Sequence, residues 1–236
     1  MTKTKKTQCR NDLINRILTL EIEPGATLDE AALCAEYDLS RTPLREVFQQ
    51  LAGEGYITLA TNRGAKVSSM DLHRMRHFFQ AAGMVYAAMA RLAAENATVK
   101  QIDQLREIQR NFTDSLSAED GSATALLNHQ FHAYIGEIAA NPYLLPSYLR
   151  LLIDHTRIGQ RFYVPLSEQE ESRIATAAKQ HDQLIDAIAT HQPDVAVEVI
   201  LEHWELTRNR IEYFVRPDPL SPDLGAASRL EDRHAV

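Results

Sequence analysis

The sequence predicts a mainly α-helical protein in which a winged helix-turn-helix precedes an all-α antiparallel helical bundle. Apolar residues recur every three or four positions through most of the 236 residues, which is the period of a helix with one buried face. Strand-like segments occur only near residues 56–67. The balance of charges also changes at about residue 68, which divides the chain into two parts.

The composition excludes several classes of protein. With 44% hydrophobic and 24% charged residues, the chain resembles a globular protein long enough to bury a core. Its two cysteines, Cys9 and Cys34, are too few for a disulfide framework and predict a reducing compartment. The polar start lacks the apolar stretch of a signal peptide, and no run approaches the ~20 apolar residues of a membrane span. We therefore expect a cytoplasmic protein without a membrane partner.

The net charge of −7 would argue against nucleic acid as a partner if it were spread evenly. Residues 1–68 hold nine basic and nine acidic residues, whereas the remainder holds 16 basic and 23 acidic residues. A small domain without net charge joined to a larger acidic domain is typical of a DNA-binding protein with a separate regulatory domain. This distribution predicts a DNA-binding domain over 1–68 and an effector-binding domain over 71–215.

The first elements follow from apolar spacing and breakers. A first helix is predicted from about residue 8 to 20, and Pro24-Gly25 ends it. A second short helix is predicted from Asp29 to Tyr37, and Asp38 follows at a position that tolerates a left-handed backbone. A third helix opens at Thr42-Pro43, because proline suits the first helical turn.

The third helix has two distinct faces. Its buried stripe consists of Leu44, Val47, Phe48 and Leu51. Arg41, Arg45 and Gln49 lie four apart on the solvent side. A helix that presents such groups from its N-terminal end fits a major groove, where arginine donates to guanine and the hydroxyls of Ser40 and Thr42 hold phosphates. Two arginines alone would more simply indicate a solvated helix face.

A hairpin after this helix favours the DNA-binding interpretation. Residues 56–60 are predicted as a strand, 62–64 as a tight turn and 65–67 as the return strand. The hairpin is typical of a wing, and its tip at Arg63 and Gly64 could reach a minor groove.

Residues 13–68 resemble the GntR family of bacterial regulators. The resemblance lies in the spacing of Pro24, Gly25, Leu28, Glu30 and Leu33, in the segment LSRTPLRE at 39–46, in EGY at 54–56 and in NRGAxV at 62–67. It implies that Arg41, Thr42 and Arg45 contact DNA and that Arg63 and Gly64 form the wing tip. Cys34 and Asp38 depart from the common pattern and are small or turn-tolerant replacements.

The rest of the chain is predicted to be helical. The predicted helices cover 71–95, 98–117, 122–140, 143–162, 168–191 and 194–215, separated by Gly and Pro breaks. Helices of this length form an antiparallel bundle with room for a cavity. Residues 216–236, with three prolines, are predicted to be a flexible tail.

Four polar residues on these helices form a candidate metal site. Asn128 and His132 lie four apart on one helical face, while His181 and His203 lie on later helices. Neutral imidazoles bind zinc, nickel or iron and leave positions open for a ligand. Single helical histidines are more often surface or hydrogen-bonded core residues, and spacing alone does not show that three helices converge.

Residues 71–215 are similar to the C-terminal ligand-binding (FCD) domain of the fatty-acid-regulator branch of GntR proteins. The similarity lies in FHxxI at 131–135, NPxL at 141–144, HxxLIxAI at 181–188, DxA at 194–196 and His203. It implies a divalent metal (zinc, nickel, iron or manganese) held by His132, His181 and His203, and a small carboxylate effector. Asn128 stands where the family has an acidic residue, and this change should lower the affinity of the site for a metal. Ala82 and Tyr86 stand where Arg and Glu are common.

These observations predict a ligand-responsive regulator that binds a near-palindromic operator as a homodimer, with repression relieved by ligand as the family expectation. Two other classes remain open. The histidines could serve a metal-dependent enzyme, although the nearest acid on that helix, Glu137, is five residues past His132 and points away. The chain could also be an architectural module, which the LSRTPLRE segment disfavours.

Overall fold

The N-terminal part combines helices with a small antiparallel sheet. The structure, a computed structural model, describes residues 2–60, 64–117, 120–160 and 162–215. Up to Val67 its elements are α1 (Thr2–Leu18), β1 (Thr27–Leu28), α2 (Glu30–Glu36), α3 (Arg41–Glu54), β2 (Ile57–Ala60) and β3 (Gly64–Val67). The strands lie in the order β1-β3-β2, with Thr58 opposite Lys66 in the hairpin. The predicted winged helix-turn-helix is confirmed.

Local signals set the ends of these helices. The Asp29 side chain accepts from the N–H groups of Ala31 and Ala32 at the start of α2, which satisfies donors that have no helical partner. Asp38 has a φ of +49° in the turn before α3, as predicted. Gly55 ends α3 with a φ of +99°, a conformation that glycine adopts without strain.

Two features of this part were not predicted. α1 begins at Thr2, earlier than the predicted residue 8, and its basic side chains are paired with later residues: Lys5 with Asp38, Lys6 with Glu46 and Arg10 with Glu54. β1 is only two residues long, and a pair of residues shows no alternation that a sequence could reveal.

The second part is helical, as predicted. Its elements are α4 (Leu72–Asn96), α5 (Val99–Ser115), α6 (Gly121–Ala139), α7 (Leu145–Gly159), α8 (Glu168–Ala189) and α9 (Pro193–Val215). α4 packs against α6, α7 and α9, while α8 packs against α5 and α9. The core between them is continuous and includes Phe131, Ile135, Met89, Leu105, Leu184 and Trp204. No helix among the described residues combines the length and apolar character needed to cross a bilayer, and the predicted tail at 216–236 lies outside the described residues.

Helix α7 joins the two parts of the chain. The Ile153 side chain packs into the apolar core of the N-terminal part. Three polar side chains of the same region donate to backbone carbonyl oxygens there: Arg150 to Gly53 at 3.0 Å, Arg157 to Ser68 at 2.8 Å and Gln160 to Leu18 at 2.9 Å. The opposite face of α7 lies against the candidate metal site described below.

Candidate functional site

The N-terminal end of α3 presents the polar groups that the sequence assigned to DNA. Ser40, Arg41, Thr42, Arg45 and Gln49 are all exposed, because the apolar stripe of the helix is buried on its other side. The N–H groups of the first turn also receive no hydrogen bond from the Ser40 side chain. Helix starts of this kind attract phosphate groups.

Arg45 on α3 forms an ion pair with Glu30 on α2. Its Nε donates to the Glu30 carboxylate at 3.3 Å, while 64% of the arginine side chain remains exposed. The two terminal nitrogens of a guanidinium are the ones that match the paired acceptors of guanine. At the wing, Gly64 is exposed with a φ of +73°, and the predicted contact residue Arg63 lies outside the described residues.

The histidines singled out in the sequence come together in the core of the bundle. His132 on α6, His181 on α8 and His203 on α9 each place a ring nitrogen within 4.8 Å of the others. All three are at most 5% exposed. Asn128 lies one turn before His132 on α6 and is 3% exposed. The three histidines therefore meet in the interior of the bundle, and Asn128 shares the α6 face of His132.

Two glutamines orient the rings of this cluster. His181 Nδ1 lies 3.0 Å from Gln109 Oε1, and His203 Nδ1 lies 3.2 Å from Gln180 Oε1. An amide oxygen only accepts, so each Nδ1 carries the proton, and the Nε2 of the same ring is left with a free lone pair. Partners of this kind fix the tautomer of metal-bound histidines in proteins.

Several buried polar atoms of the cluster lack a partner. Asn128 Oδ1, His132 Nε2 and His181 Nε2 are shielded from solvent without a hydrogen bond. Leaving such an atom unsatisfied costs about 1–3 kcal/mol. Asn128 Oδ1 and His181 Nε2 present lone pairs, and a neutral imidazole such as that of His132 can offer one at Nε2. The residues present therefore fit a divalent cation.

The cluster is electrically neutral. Burial lowers the pKa of His203 to about 4, and burial together with neighbouring histidines lowers the pKa values of His132 and His181 well below the usual value. The imidazoles are therefore uncharged near neutral pH, which is the form that binds metals.

Aromatic groups and a fourth histidine enclose the site. Phe131 stacks on His181 with ring centroids 4.0 Å apart. The Tyr148 hydroxyl donates to the His132 carbonyl oxygen at 2.8 Å. His155 on α7 lies 5.4 Å from His132 between ring centroids, and its Nδ1 is 3.1 Å from the Tyr86 hydroxyl. The α7 helix therefore contacts the cluster directly.

Sequence reasoning missed part of this environment. The sequence pattern singles out neither His155 nor Gln109, Gln180 and Tyr148. His155 and Tyr148 lie seven apart on one face of α7, a spacing that could have pointed to a shared environment. No signal in the sequence links Gln109 to His181, because the pair lies 72 residues apart.

A cavity lies at one end of the bundle without reaching the histidines. It has a volume of about 740 Å³, and its wall includes Ser115, Thr124, Tyr163 and Ile174. Thr124 lies one helical turn before Asn128 on α6. Phe112 packs between Tyr163 and His181, with ring centroids 5.8 and 5.0 Å away. Phe112 therefore contacts both a wall residue of the cavity and a histidine of the cluster.

Two protein-family models match the chain. Residues 5–67 match the model described as bacterial regulatory proteins, gntR family. Residues 77–206 match the model of the FCD domain. The two matches coincide with the winged helix-turn-helix and with most of the helical bundle.

The curated relatives are regulators of transcription, and a solved structure has the same fold. The Nta operon transcriptional regulator of Aminobacter aminovorans is 23% identical over 199 residues, which cover 84% of this chain and 90% of that protein. The transcriptional repressor RspR of Escherichia coli K12 is 29% identical over 143 residues, covering 58% of this chain and 63% of that protein. The E. coli McbR/YncC structure shares the fold, with a TM-score of 0.72, 17% identity and coverage of 89% and 96%.

Proposed function

The chain belongs to the GntR family of bacterial regulatory proteins with an FCD domain, and on that premise we propose that it is a repressor whose affinity for its operator changes when a small carboxylate binds. It is a ligand-responsive DNA-binding transcriptional regulator rather than an enzyme, since its relatives are regulators of transcription. The exposed polar start of α3, set on a winged helix-turn-helix, is the observation that carries the proposal.

The proposal assigns DNA binding to residues 1–68. Arg41 and Arg45 read base edges in the major groove, Ser40 and Thr42 hold phosphates, and Gln49 contacts the next base or phosphate. Arg63 and Gly64 reach the adjacent minor groove from the wing. The exposure of α3 and the Glu30–Arg45 contact support this assignment.

The operator is proposed to be near-palindromic and the regulator a homodimer. One recognition helix contacts only a few base pairs, so useful specificity needs two copies on two half-sites. A two-fold symmetric protein matches a two-fold symmetric site. Such a regulator works beside the chromosome, so we place it in the cytoplasm.

Effector binding is assigned to residues 71–215. His132, His181 and His203, with Asn128 beside them, would hold a divalent cation such as zinc, nickel, iron or manganese, and the unpartnered donor atoms support this. The cation would supply positive charge for a carboxylate oxygen. Gln109 and Gln180 hold two imidazoles in the metal-binding tautomer.

The test is a binding measurement on the DNA upstream of the gene that encodes this chain. Fluorescence anisotropy should give an affinity at least about 10³-fold above that for random duplex at physiological salt. Addition of one member of a panel of small carboxylates should shift the operator affinity while affinity for random DNA stays unchanged. Equal affinity for operator and random DNA would refute the proposal.

A further inference from the structure

The start of helix α1 lies beside the start of the recognition helix α3. Lys6 of α1 is paired with Glu46 of α3, and Arg10 of α1 is paired with Glu54 of α3 at 2.7 Å. The earlier residues of the two helices pair together and so do the later ones, which means that α1 and α3 run in the same direction. Their first turns therefore lie at the same edge of the DNA-binding part.

Helical spacing extends this alignment to Lys3 and Thr42. Lys3 lies three residues before Lys6, and so on the same face of α1. Thr42 lies four residues before Glu46, and so on the same face of α3. One turn beyond the Lys6–Glu46 pair, the two faces present Lys3 and Thr42. Both side chains are exposed there, and Thr42 is assigned above to a phosphate group.

Most basic side chains of the DNA-binding part have an acidic partner. Five are paired with a carboxylate, namely Lys5, Lys6, Arg10, Arg16 and Arg45. Among the described residues up to Ser68, the basic side chains without such a pair are those of Lys3, Arg41 and Lys66. Arg41 begins α3 and Lys66 lies on the wing strand β3. The uncompensated positive charge therefore lies on α1 and on the two elements that the proposed function places on DNA.

Lys5 compensates an acidic residue at the same edge. Asp38 lies two residues before Ser40, and 88% of its side chain is exposed. An unpaired carboxylate at this position would repel the phosphates that Ser40 and Thr42 are assigned to hold. The hydrogen bond from Lys5 lowers the pKa of the Asp38 carboxyl, and the charges of the two residues cancel.

We propose that Lys3 binds a backbone phosphate of the operator next to the one held by Thr42, while Lys5 keeps Asp38 from repelling the DNA. This inference rests on the proposed DNA-binding function and extends the contact surface from α3 and the wing to α1. A lysine offers a compact charge on a flexible stem, which suits a phosphate and carries no information about the base. The contact therefore raises the affinity for operator and random DNA alike.

The experiment is a salt titration of DNA binding by the untagged full-length chain. Lys3→Gln removes one phosphate contact per chain, so the slope of log affinity against log salt concentration should become shallower by about 0.9 per chain, or about two for a dimer. At physiological salt, the affinities for operator and random duplex should both fall by the same factor, on the order of tenfold. Lys100→Gln removes the same charge from an exposed position at the start of α5 and should keep the wild-type slope. A wild-type slope in Lys3→Gln would overturn the phosphate contact.

A double-mutant cycle tests the role of Lys5. Lys5→Gln leaves Asp38 uncompensated, so the operator affinity should fall by about three- to tenfold. Asp38→Asn in the same chain removes the carboxylate and should restore most of that loss, because asparagine tolerates the left-handed backbone of this position. A loss that Asp38→Asn does not restore would overturn the role assigned to Lys5.

The outcomes separate this inference from the proposed function. Specific operator binding with an unchanged salt slope in Lys3→Gln would refute the contact from α1 and leave the regulator in place. Equal affinity of the wild-type chain for operator and random DNA would refute the proposed function. The slopes measured on random DNA would still report the Lys3 contact in that case, because the contact is made to the backbone.

Discussion

Arg157 donates from Nη1 to the carbonyl oxygen of Ser68 at 2.8 Å, and so joins α7 to the end of the winged domain. Both residues are about 1% exposed. Two residues before Arg157 on α7, His155 contacts His132 of the histidine cluster, with ring centroids 5.4 Å apart. A shift of α7 caused by an effector would therefore be felt directly at the junction with the DNA-binding part.

Replacing Arg157 should destabilise this junction. In Arg157→Met the Ser68 carbonyl loses its donor and Asp154 keeps Arg74 as its remaining ion pair, so the free energy of unfolding should fall by about 3 kcal/mol. Chemical denaturation measures the change. Arg150→Met, which removes an exposed donor to Gly53 from the same helix, should cost less than about 1 kcal/mol. A cost for Arg157→Met no larger than that of Arg150→Met would contradict the prediction.

Removing the two arginines of α3 should weaken operator binding strongly. Each arginine that contacts guanine contributes about 1–3 kcal/mol, so Arg41→Ala with Arg45→Ala should weaken operator binding by about a hundredfold or more. Arg106→Ala with Arg110→Ala removes the same charge from an exposed face of α5 and should have little effect. Anisotropy titrations compare the two double variants. Equal losses would show that only overall charge matters.

Removing His132 should release the metal. Elemental mass spectrometry on untagged, gently purified protein in a carboxylate buffer should find roughly one divalent metal per chain. His132→Ala should lose most of it, because His132 is one of the three histidines whose ring nitrogens converge. His73→Ala changes an exposed histidine of α4 and should keep the wild-type content. Metal-free wild-type protein with intact helicity would mean that the cavity recognises its ligand through other polar groups.

The metal-free protein should lose stability in mild acid. Burial lowers the pKa of His155 to about 3 and that of His203 to about 4, whereas the unfolded chain takes up these protons near pH 6.5. The free energy of unfolding should therefore fall from about pH 6.5 towards pH 4, by about 1.4 kcal/mol per pH unit for each buried neutral histidine.

Chelator-treated protein and denaturation at several pH values provide the measurement. His155→Gln, which removes one such group, should flatten this dependence, while His73→Gln on the surface should leave it unchanged. A free energy of unfolding that stays constant between pH 6.5 and 4 would show that the buried histidines do not resist protonation.

The helical spacing of apolar and polar residues predicts which side of each helix is buried. The buried stripe of α3 and the faces of His132 and His181 follow from three- and four-residue spacing, and the family resemblance adds the expectation that His203 joins them. Contacts between helices carry no such signal. The pairing of Gln109 with His181, the position of His155 and the ion pairs that extend α1 depend on tertiary packing, which single-sequence patterns do not encode.

The Ile153 side chain completes the apolar core of the N-terminal part although it belongs to α7. A chimaera that fused residues 1–68 to an unrelated sensor would leave a gap there, and large-to-small changes in a core cost about 2–5 kcal/mol. Exchange of DNA-binding parts between regulators of this kind is thus constrained by the sensor helix that each one carries. Recombinants in which α7 travels with residues 1–68 should tolerate the exchange better.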